Sequence, residues 1–348
     1  MSNLLEINNL SVDFPSRRGQ VAAVNKVSIS VAKGEVLGLV GESGAGKSTV
    51  GNSVINLLEP PGYISGGEII FDGTRIDKMS NEEMRKIRGA KIGTIFQDPQ
   101  TSLNPLMTIG KQLSETLVET LKISGSSALQ KSVELLDSVG IPNPDQRLNA
   151  YPHQFSGGMR QRVVIALALA GDPDLVIADE PTTALDVSIQ KQILDLIKSL
   201  CKQRNLGVII VTHDIGVIAE IADRVAVMYN GQLVEEGKVR QVLQKPKHDY
   251  TKSLISAVPS GDQKLDRFTV VDYIDGSEEK TTISNVSEHW LSKTKSSEAH
   301  QTAISVENLS IEFSIRQALL RKNRIMLKAV DEVSIEIQTG ESFGLVGE

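Results

Sequence analysis

A glycine-rich loop near the N-terminus limits the possible folds more than any other feature of this sequence. Residues 41–49 read GESGAGKST, which matches the spacing G-x-x-x-x-G-K-[ST]. The apolar segment 35–40 before it is typical of a buried strand, and 49–58 after it has a helical pattern. In this context the backbone N–H groups and the helix N-terminus bind phosphate. The loop therefore predicts a mostly parallel α/β core with a phosphate site where strand and helix meet.

The residues of this loop have distinct expected roles. Its glycines allow the tight backbone turn that directs N–H groups toward the phosphates. Lys47 is expected to reach the β and γ phosphates of a nucleotide, Ser48 to offer a hydroxyl to Mg²⁺, and Thr49 to add a phosphate contact. The predicted nucleotide-binding residues of the loop are Gly41, Glu42, Ser43, Gly44, Ala45, Gly46, Lys47, Ser48 and Thr49.

Two later apolar segments end in polar residues suited to hydrolysis. Residues 174–181 read DLVIADEP, typical of a buried parallel strand with two acids at its carboxyl end. Asp179 is expected to hold Mg²⁺, directly or through water, and Glu180 to polarise the attacking water as general base. An acidic turn after a strand is the alternative. Residues 207–214 read GVIIVTHD, and we expect His213 to approach the γ-phosphate and the same water.

The chain also repeats its own beginning. LEINNLSVDF at 5–14 returns as ISVENLSIEF at 304–313, and the twenty residues 23–42 return at 329–348 with twelve identities. We therefore expect the chain to end partway through a second copy of its N-terminal part. Because that copy would hold strands without the helices that should cover them, we expect it to be poorly ordered or sticky on its own.

Composition limits the partners of the chain. Lys and Arg total 37 against 43 Asp and Glu, and the net charge of -6 argues against nucleic acid. The one cysteine, Cys201, cannot form a disulfide framework or a cysteine metal cluster within the chain. The longest apolar run, 163–170, is far shorter than the ~20 residues of a membrane-spanning helix. The first residues lack the pattern of a secretion signal. We expect a protein with no membrane span of its own.

The segment between the loop and the two acids carries a family resemblance. SGGMRQR at 156–162, followed by IADEPTTALD at 177–186, resembles the signature motif and hydrolysis site of ABC-transporter ATPases. FQDPQTSLNP at 96–105 and YPHQFSGGMRQR at 151–162 are similar to the ATPases of oligopeptide, dipeptide and nickel importers. The resemblance covers residues 4–260. With a partial second copy, the chain also resembles the fused double-ATPase subset that includes glutathione-type and microcin-type importers.

This resemblance implies roles for further residues. Gln97 matches the glutamine that senses the γ-phosphate and Mg²⁺, and His213 matches the switch histidine. Asp186 matches the acid of the loop that crosses the dimer interface. The signature residues, whose helix N-terminus would cap the γ-phosphate of a nucleotide on the opposite half, are Ser156, Gly157 and Gly158.

Phe14 has two possible roles. It matches a position where the family often stacks an aromatic ring on adenine. Leu10, Val12 and Phe14 also alternate along a predicted strand, so Phe14 can equally belong to the core. The sequence leaves both roles open.

The resemblance implies a P-loop ABC ATPase fold of the α/β class. It would have a RecA-like parallel-sheet core, an antiparallel β layer from 4–14 and 20–32, and an α-helical subdomain at about 98–170. Ser80 and Glu83 form a capping-box pattern that predicts a helix start. The predicted domains are 1–260 as a complete nucleotide-binding domain, 261–302 as a polar linker, and 303–348 as the N-terminal fragment of a second one.

The implied function is ATP hydrolysis, with ATP and Mg²⁺ bound, that powers import of a peptide-like solute or nickel. The implied partners are permease subunits, a solute-binding protein reached through them, and a second ATPase half. The implied location is peripheral, at the cytoplasmic face of the inner membrane. Two alternatives are a soluble ABC-type ATPase in translation or DNA repair and a nucleotide-binding regulatory subunit with little turnover. Long insertions or basic extensions would favour the first, and the intact Glu180 and His213 argue against the second.

Overall fold

The computed structural model describes residues 3–16, 19–183, 185–257, 301–314 and 326–346. These residues belong to two units, Met1–Ile283 and Ser284–Glu348. The strands of the first unit are β1 (Asn3–Ser16), β2 (Gly19–Ala32), β3 (Val36–Val40), β4 (Tyr63–Phe71), β5 (Thr74–Arg75), β6 (Ile92–Ile95), β7 (Leu175–Asp179), β8 (Gly207–Thr212), β9 (Arg224–Tyr229) and β10 (Gln232–Lys238). Its helices are α1 (Lys47–Val54), α2 (Asn81–Ile87), α3 (Pro99–Ser102), α4 (Ile109–Leu121), α5 (Gly125–Ser138), α6 (Pro144–Arg147), α7 (Gly157–Leu169), α8 (Val187–Arg204), α9 (Ile215–Ile221), α10 (Val239–Gln244) and α11 (Asp249–Ser256).

A six-stranded sheet forms the centre of the first unit, in the order β10-β9-β3-β8-β7-β6. Its inner strands are parallel, and β10 joins β9 antiparallel at one edge. Strands β3 and β8 are buried at every residue, as their continuous apolar sequence predicts. Val40 pairs with Thr212, and Val211 pairs with Asp179. The carboxyl ends of β3, β8 and β7 therefore lie side by side, on the side of the sheet where these strands end. This confirms the predicted parallel core.

A four-stranded antiparallel sheet, in the order β2-β1-β4-β5, forms the second layer. Its first two strands are the predicted hairpin, with bulges at Asn9 (φ 50°) and Lys26 (φ 52°). Each bulge is held by a serine of the partner strand, because the backbone N–H of Asn9 donates to Ser28 Oγ at 2.8 Å and that of Lys26 to Ser11 Oγ at 3.1 Å. Strands β4 and β5 were not predicted from the sequence.

Helices α3 to α7 form the predicted helical subdomain. Side-chain oxygens cap four of them. Asp98 accepts from the N–H of Gln100 at the start of α3, and Thr108, Ser124 and Ser156 each accept from a backbone N–H three residues later. The apolar face of α4 is fully buried, with Ile109, Leu113 and Leu117 at 0% exposure. This face belongs to the same core cluster as α7, so the helical subdomain and the central sheet share one core.

Some predicted boundaries were wrong. The helix after the phosphate loop was predicted for 49–58, but α1 ends at Val54, because Asn56 adopts φ 50° and cannot continue a helix. The signature helix was expected over 156–171, but α7 begins at Gly157, with Ser156 as its N-cap, and ends at Leu169. Ser80 and Glu83 form the predicted capping box at the start of α2. Apart from its last two residues, the predicted linker 261–302 lies outside the described residues.

The second unit contains strands β11 (Thr302–Ser314) and β12 (Met326–Gln338), which pair antiparallel. Their register repeats that of β1 and β2, including both bulges. The N–H of Asn308 donates to Ser334 Oγ at 2.9 Å, and that of Glu332 to Ser310 Oγ at 3.0 Å. These four residues correspond to Asn9, Ser28, Lys26 and Ser11 of the first copy. The repeat in the sequence is therefore a repeat of structure.

The two hairpins differ in what covers them. Leu10 and Val12 are at 0% exposure in the first unit, whereas the corresponding Leu309 and Ile311 are at 42% and 39%. The second hairpin therefore carries the uncovered apolar side chains that the sequence predicted. The expectation that it is poorly ordered stays a prediction.

Candidate functional site

The phosphate loop surrounds a buried ammonium group. Lys47 is 6% exposed, and its Nζ donates to the carbonyls of Gly41 at 2.8 Å and Glu42 at 2.7 Å. Burial lowers the pKa of Lys47, while the nearby carboxylates of Glu180 and Asp179 oppose that shift. The lysine thus supplies a positive charge against the backbone of the loop. Its contact with the β and γ phosphates stays a prediction.

The geometry of the loop explains its glycines. Gly46 lies immediately before α1 with φ 93°, and a Cβ atom built there would lie 2.4 Å from the carbonyl oxygen of Ala23. Any larger residue would be strained in its backbone and would collide with the β2 strand. The first turn of α1 contains Lys47, Ser48 and Thr49, so three predicted ligands start the helix whose N-terminus faces the loop.

Ser48 and Asp179 form a second part of the site. Ser48 Oγ donates to Asp179 Oδ1 at 3.1 Å, although 131 residues separate them in the sequence. Burial raises the pKa of Asp179, partly offset by the Ser48 hydrogen bond and by Lys47. A hydroxyl beside a half-buried carboxylate is a donor set that fits a hard cation such as Mg²⁺. Among the described residues, no three His, Cys, Asp or Glu side chains lie close enough together to hold a metal ion as a group.

Glu180 is held by three side chains. Its Oε2 accepts from Gln97 Nε2 and from Thr183 Oγ1, each at 2.9 Å, and its Oε1 lies 2.8 Å from His213 Nδ1. Burial acts to raise the pKa of Glu180, but the hydrogen bonds from His213 and Thr183 outweigh it and lower the pKa overall. The carboxylate is therefore ionised at neutral pH, which a general base requires. An acidic turn alone would not explain these contacts.

Glu180 also has an unusual backbone conformation. It follows the last residue of β7 with φ 45°, a region that non-glycine residues seldom adopt. Its N–H donates to the carbonyl of Val211 at 2.8 Å, so the neighbouring strand β8 helps to fix this conformation. Strain of this kind is typical of functional positions.

The remaining predicted residues lie apart from this cluster. In the ranges that the structure describes, Ser156 has no hydrogen bond to the phosphate loop; its Oγ accepts from Met159 N at 3.3 Å as the cap of α7. Asp186 caps α8, because its Oδ1 accepts from Ile189 N at 2.9 Å. A Cβ atom built on Gly158 would lie 2.6 Å from Ile189, so that glycine permits close packing of α7 on α8. Nucleotide contacts by these residues stay predictions.

Phe14 is half-buried and packs against the core of the antiparallel layer. A Cβ atom built on Gly62 would lie 2.5 Å from its ring, so the ring rests directly on the backbone at the start of β4. The core role is thus supported by contacts, and adenine stacking stays a prediction.

Sequence reasoning missed two residues of the site. Thr183 lies within the IADEPTTALD motif, and its position three residues after Glu180 is suited to a turn that returns its hydroxyl to the acid. Tyr250 lies 208 residues from the loop, yet its hydroxyl accepts from the N–H of Glu42 at 2.9 Å. No local pattern predicts such a distant contact.

Within the described ranges, none of the helices combines the length and apolar content needed to cross a membrane.

Comparisons with known proteins agree with this geometry. The "ABC transporter" family profile matches residues 24–183, and the "Oligopeptide/dipeptide transporter, C-terminal region" profile matches 234–282. The chain is 51% identical over 270 residues to the oligopeptide transport ATP-binding protein OppD of Bacillus subtilis, covering 76% of this chain and 75% of that protein.

Two further matches extend the comparison. The chain is 42% identical to the glutathione import ATP-binding protein GsiA of Shigella dysenteriae, across 99% of this chain but 56% of that protein. A dimeric structure of the ATP-binding cassette MJ0796 with ADP and Pi aligns with a TM-score of 0.60 at 31% identity, covering 68% of this chain and 99% of that one.

Proposed function

The chain belongs to the ABC transporter family, and on that premise we propose that it binds and hydrolyses ATP to power import of a peptide-like solute through a partner permease. The observation that carries the proposal is the Glu180 carboxylate, held by Gln97, Thr183 and His213 beside the phosphate loop. Oligopeptide, dipeptide and glutathione transport proteins among its relatives support the solute class.

The phosphate loop binds the triphosphate. The N–H of Glu42 donates to Tyr250 and is not free for phosphate, so the later N–H groups of the loop would face the phosphate oxygens, and the N-terminus of α1 adds partial positive charge. Lys47, held at the carbonyls of Gly41 and Glu42, lies next to this loop and neutralises charge on the β and γ phosphates.

Ser48 and Asp179 would hold Mg²⁺, with Gln97 as a further ligand. When bound, Mg²⁺ neutralises charge on the phosphate oxygens during transfer. The hydroxyl of Ser48 beside the Asp179 carboxylate is the reason for expecting a cation there, and a cation would also offset the cost of burial that raises the pKa of Asp179.

Glu180 acts as the base. Its carboxylate accepts a proton from water as the water oxygen bonds to the γ-phosphorus, and the bond from that phosphorus to the β–γ bridging oxygen breaks to release ADP and phosphate. His213 and Thr183 hold the two carboxylate oxygens, so the base keeps a fixed direction toward the water.

Two nucleotide-binding halves complete the site. Ser156 and the N-terminus of α7 in one half would cap the γ-phosphate bound by the other half, and the loop that contains Asp186 would cross between them. Closure would exclude water and opening would release products, with the motion transmitted to the permease. The protein would act as a peripheral subunit at the cytoplasmic face of the membrane, receiving solute through a solute-binding protein.

The test is Glu180→Gln, with Glu134→Gln on the exposed face of α5 as the matched control. We expect the first variant to lose activity by about 100-fold or more while ATP still binds, because only the proton acceptor is removed. The control should match the wild type. A regulatory subunit with little turnover would show no difference between the two variants.

A further inference from the structure

Helix α11 contacts the phosphate loop through the hydroxyl group of Tyr250. Tyr250 in α11 is 1% exposed, and its hydroxyl accepts from the backbone N–H of Glu42 at 2.9 Å. Its ring packs on Tyr229 of β9 with the ring centroids 4.4 Å apart. The ring cannot move away without opening the core, so the hydroxyl is a fixed acceptor behind the loop.

Glu42, the residue that Tyr250 contacts, is also a hydrogen-bond partner of Lys47. The carbonyl of Glu42 accepts from Lys47 Nζ at 2.7 Å, while its N–H donates to Tyr250. The backbone at Glu42 is therefore held from both sides, by Tyr250 at its N–H and by Lys47 at its carbonyl. A change in this backbone orientation would move the acceptor that places the Lys47 ammonium.

A second set of hydrogen bonds fixes the helix that presents Tyr250. The Glu235 carboxylate in β10 accepts from the backbone N–H groups of Lys247 at 2.9 Å and His248 at 3.0 Å. His248 Nδ1 accepts from the N–H of Tyr250 at 3.2 Å and caps α11. A continuous path of contacts thus leads from β10, through the start of α11, to the phosphate loop.

We propose that Tyr250 is a positioning residue for the phosphate loop, and that β10 and α11 set the affinity of the loop for nucleotide through its hydroxyl. Tyr250 touches the loop backbone and not the reacting atoms, so we expect its removal to change nucleotide affinity more than the rate of the chemical step. The inference rests on the proposed function in one respect, namely that the loop binds ATP.

The test compares full-length Tyr250→Phe with the wild type. Phenylalanine keeps the buried ring and removes the acceptor, so we expect the Kd and KM for ATP to rise about three- to tenfold, with kcat within about twofold. The matched control is Ser256→Ala in the same helix, whose exposed hydroxyl donates to Ser253 O at 2.8 Å. An unchanged Kd, or a fall in kcat at constant KM, would overturn the proposal.

A double-mutant cycle with Glu235→Ala tests the path to the loop. Alone, Glu235→Ala should raise the Kd, because it releases the start of α11. In the Tyr250→Phe background it should add little, because both changes act on the same N–H of Glu42. Equal effects in the two backgrounds would overturn the proposed path. Failure of the wild type to bind ATP would overturn the proposed function, whereas equal binding by wild type and Tyr250→Phe would overturn only this inference.

Discussion

His213 Nδ1 lies 2.8 Å from Oε1 of Glu180, and the two residues follow neighbouring parallel strands. The Glu180 side chain is 15% exposed, whereas that of His213 is 56% exposed. Glu180 is thus held close to the end of β7, whereas His213 extends toward solvent from the end of β8. The hydrogen bond therefore connects the predicted base to a more exposed histidine, which we expect to approach the γ-phosphate of bound ATP.

Replacing His213 by alanine should slow hydrolysis without weakening ATP binding. Hydrogen bonds to charged groups contribute about 1.5–3 kcal/mol, which corresponds to a fall in kcat of about 10- to 160-fold. Steady-state kinetics and equilibrium ATP binding provide the measurement. His213→Gln should lose less activity, because its amide can still donate to Glu180. A His213→Ala variant that loses ATP affinity and keeps its kcat would contradict this role.

Thr183 should contribute to the same reaction through its hydroxyl alone. It donates to Glu180 Oε2 at 2.9 Å, an oxygen to which Gln97 also donates, so Thr183→Ala leaves Oε2 with one donor and should lower kcat less than the loss of His213, by about three- to tenfold. Thr183→Ser keeps the hydroxyl and should restore most of the rate. Equal rates for the alanine and serine variants would show that the contact does not matter for turnover.

The sequence predicted the parts of the fold that depend on local pattern. The apolar runs of β3 and β8 and the glycine spacing before Lys47 define buried parallel strands and a phosphate loop without further information. The repeated hairpin was also predictable, because its bulges depend on Asn and Ser residues that recur in both copies. The strands and the loop are each encoded within a few consecutive residues, whereas the hairpin repeats because both Asn9 and Ser28, which lie 19 positions apart, recur in the second copy.

Features that depend on distant partners were not predictable in this way. Strand β4 alternates partly buried and exposed residues and contains two glycines, and its pairing with β1 provides the stability that its own sequence lacks. Tyr250 reads as one apolar residue of an amphipathic helix, and only the packing of α11 brings its hydroxyl to Glu42. Such contacts depend on tertiary structure and leave no periodic signal.

Asp179 should determine the Mg²⁺ requirement. Asp179→Asn removes the negative charge beside Ser48, so we expect the half-saturating Mg²⁺ concentration to rise about tenfold at fixed ATP. The matched control is Asp174→Asn, just before the other end of β7, where the carboxylate pairs with Lys91 at 3.3 Å near the surface. An unchanged Mg²⁺ titration for Asp179→Asn, or an equal shift for the control, would exclude the proposed metal role.

Glu235 should make the stability of the first unit depend on pH. Burial acts to raise its pKa, but the N–H groups of Lys247 and His248 outweigh burial and lower it. A lowered pKa stabilises the fold above the ordinary value of about 4.3, and this contribution is lost as pH falls through the folded-state pKa. The free energy of unfolding should therefore differ between wild type and Glu235→Gln by a constant amount from pH 7 to about 5 and converge below about 4.3. A difference that grows in acid would contradict the assignment.

Two defective variants should restore each other if each site uses two halves. Lys47→Ala disables the phosphate loop, and Ser156→Arg blocks the N-terminus of α7, so each variant alone should be nearly inactive. A mixed dimer combines the intact loop of one copy with the intact signature of the other. At equal concentrations with random pairing, we expect roughly a quarter of the wild-type rate, because half of the dimers are mixed and each holds one intact site. The control mixture combines Lys47→Ala with Glu180→Gln. The phosphate loop and the base of each site come from the same copy, so in a mixed dimer one site lacks Lys47 and the other lacks Glu180. No intact site forms. Recovery in the control mixture, or none in the test mixture, would contradict a shared site.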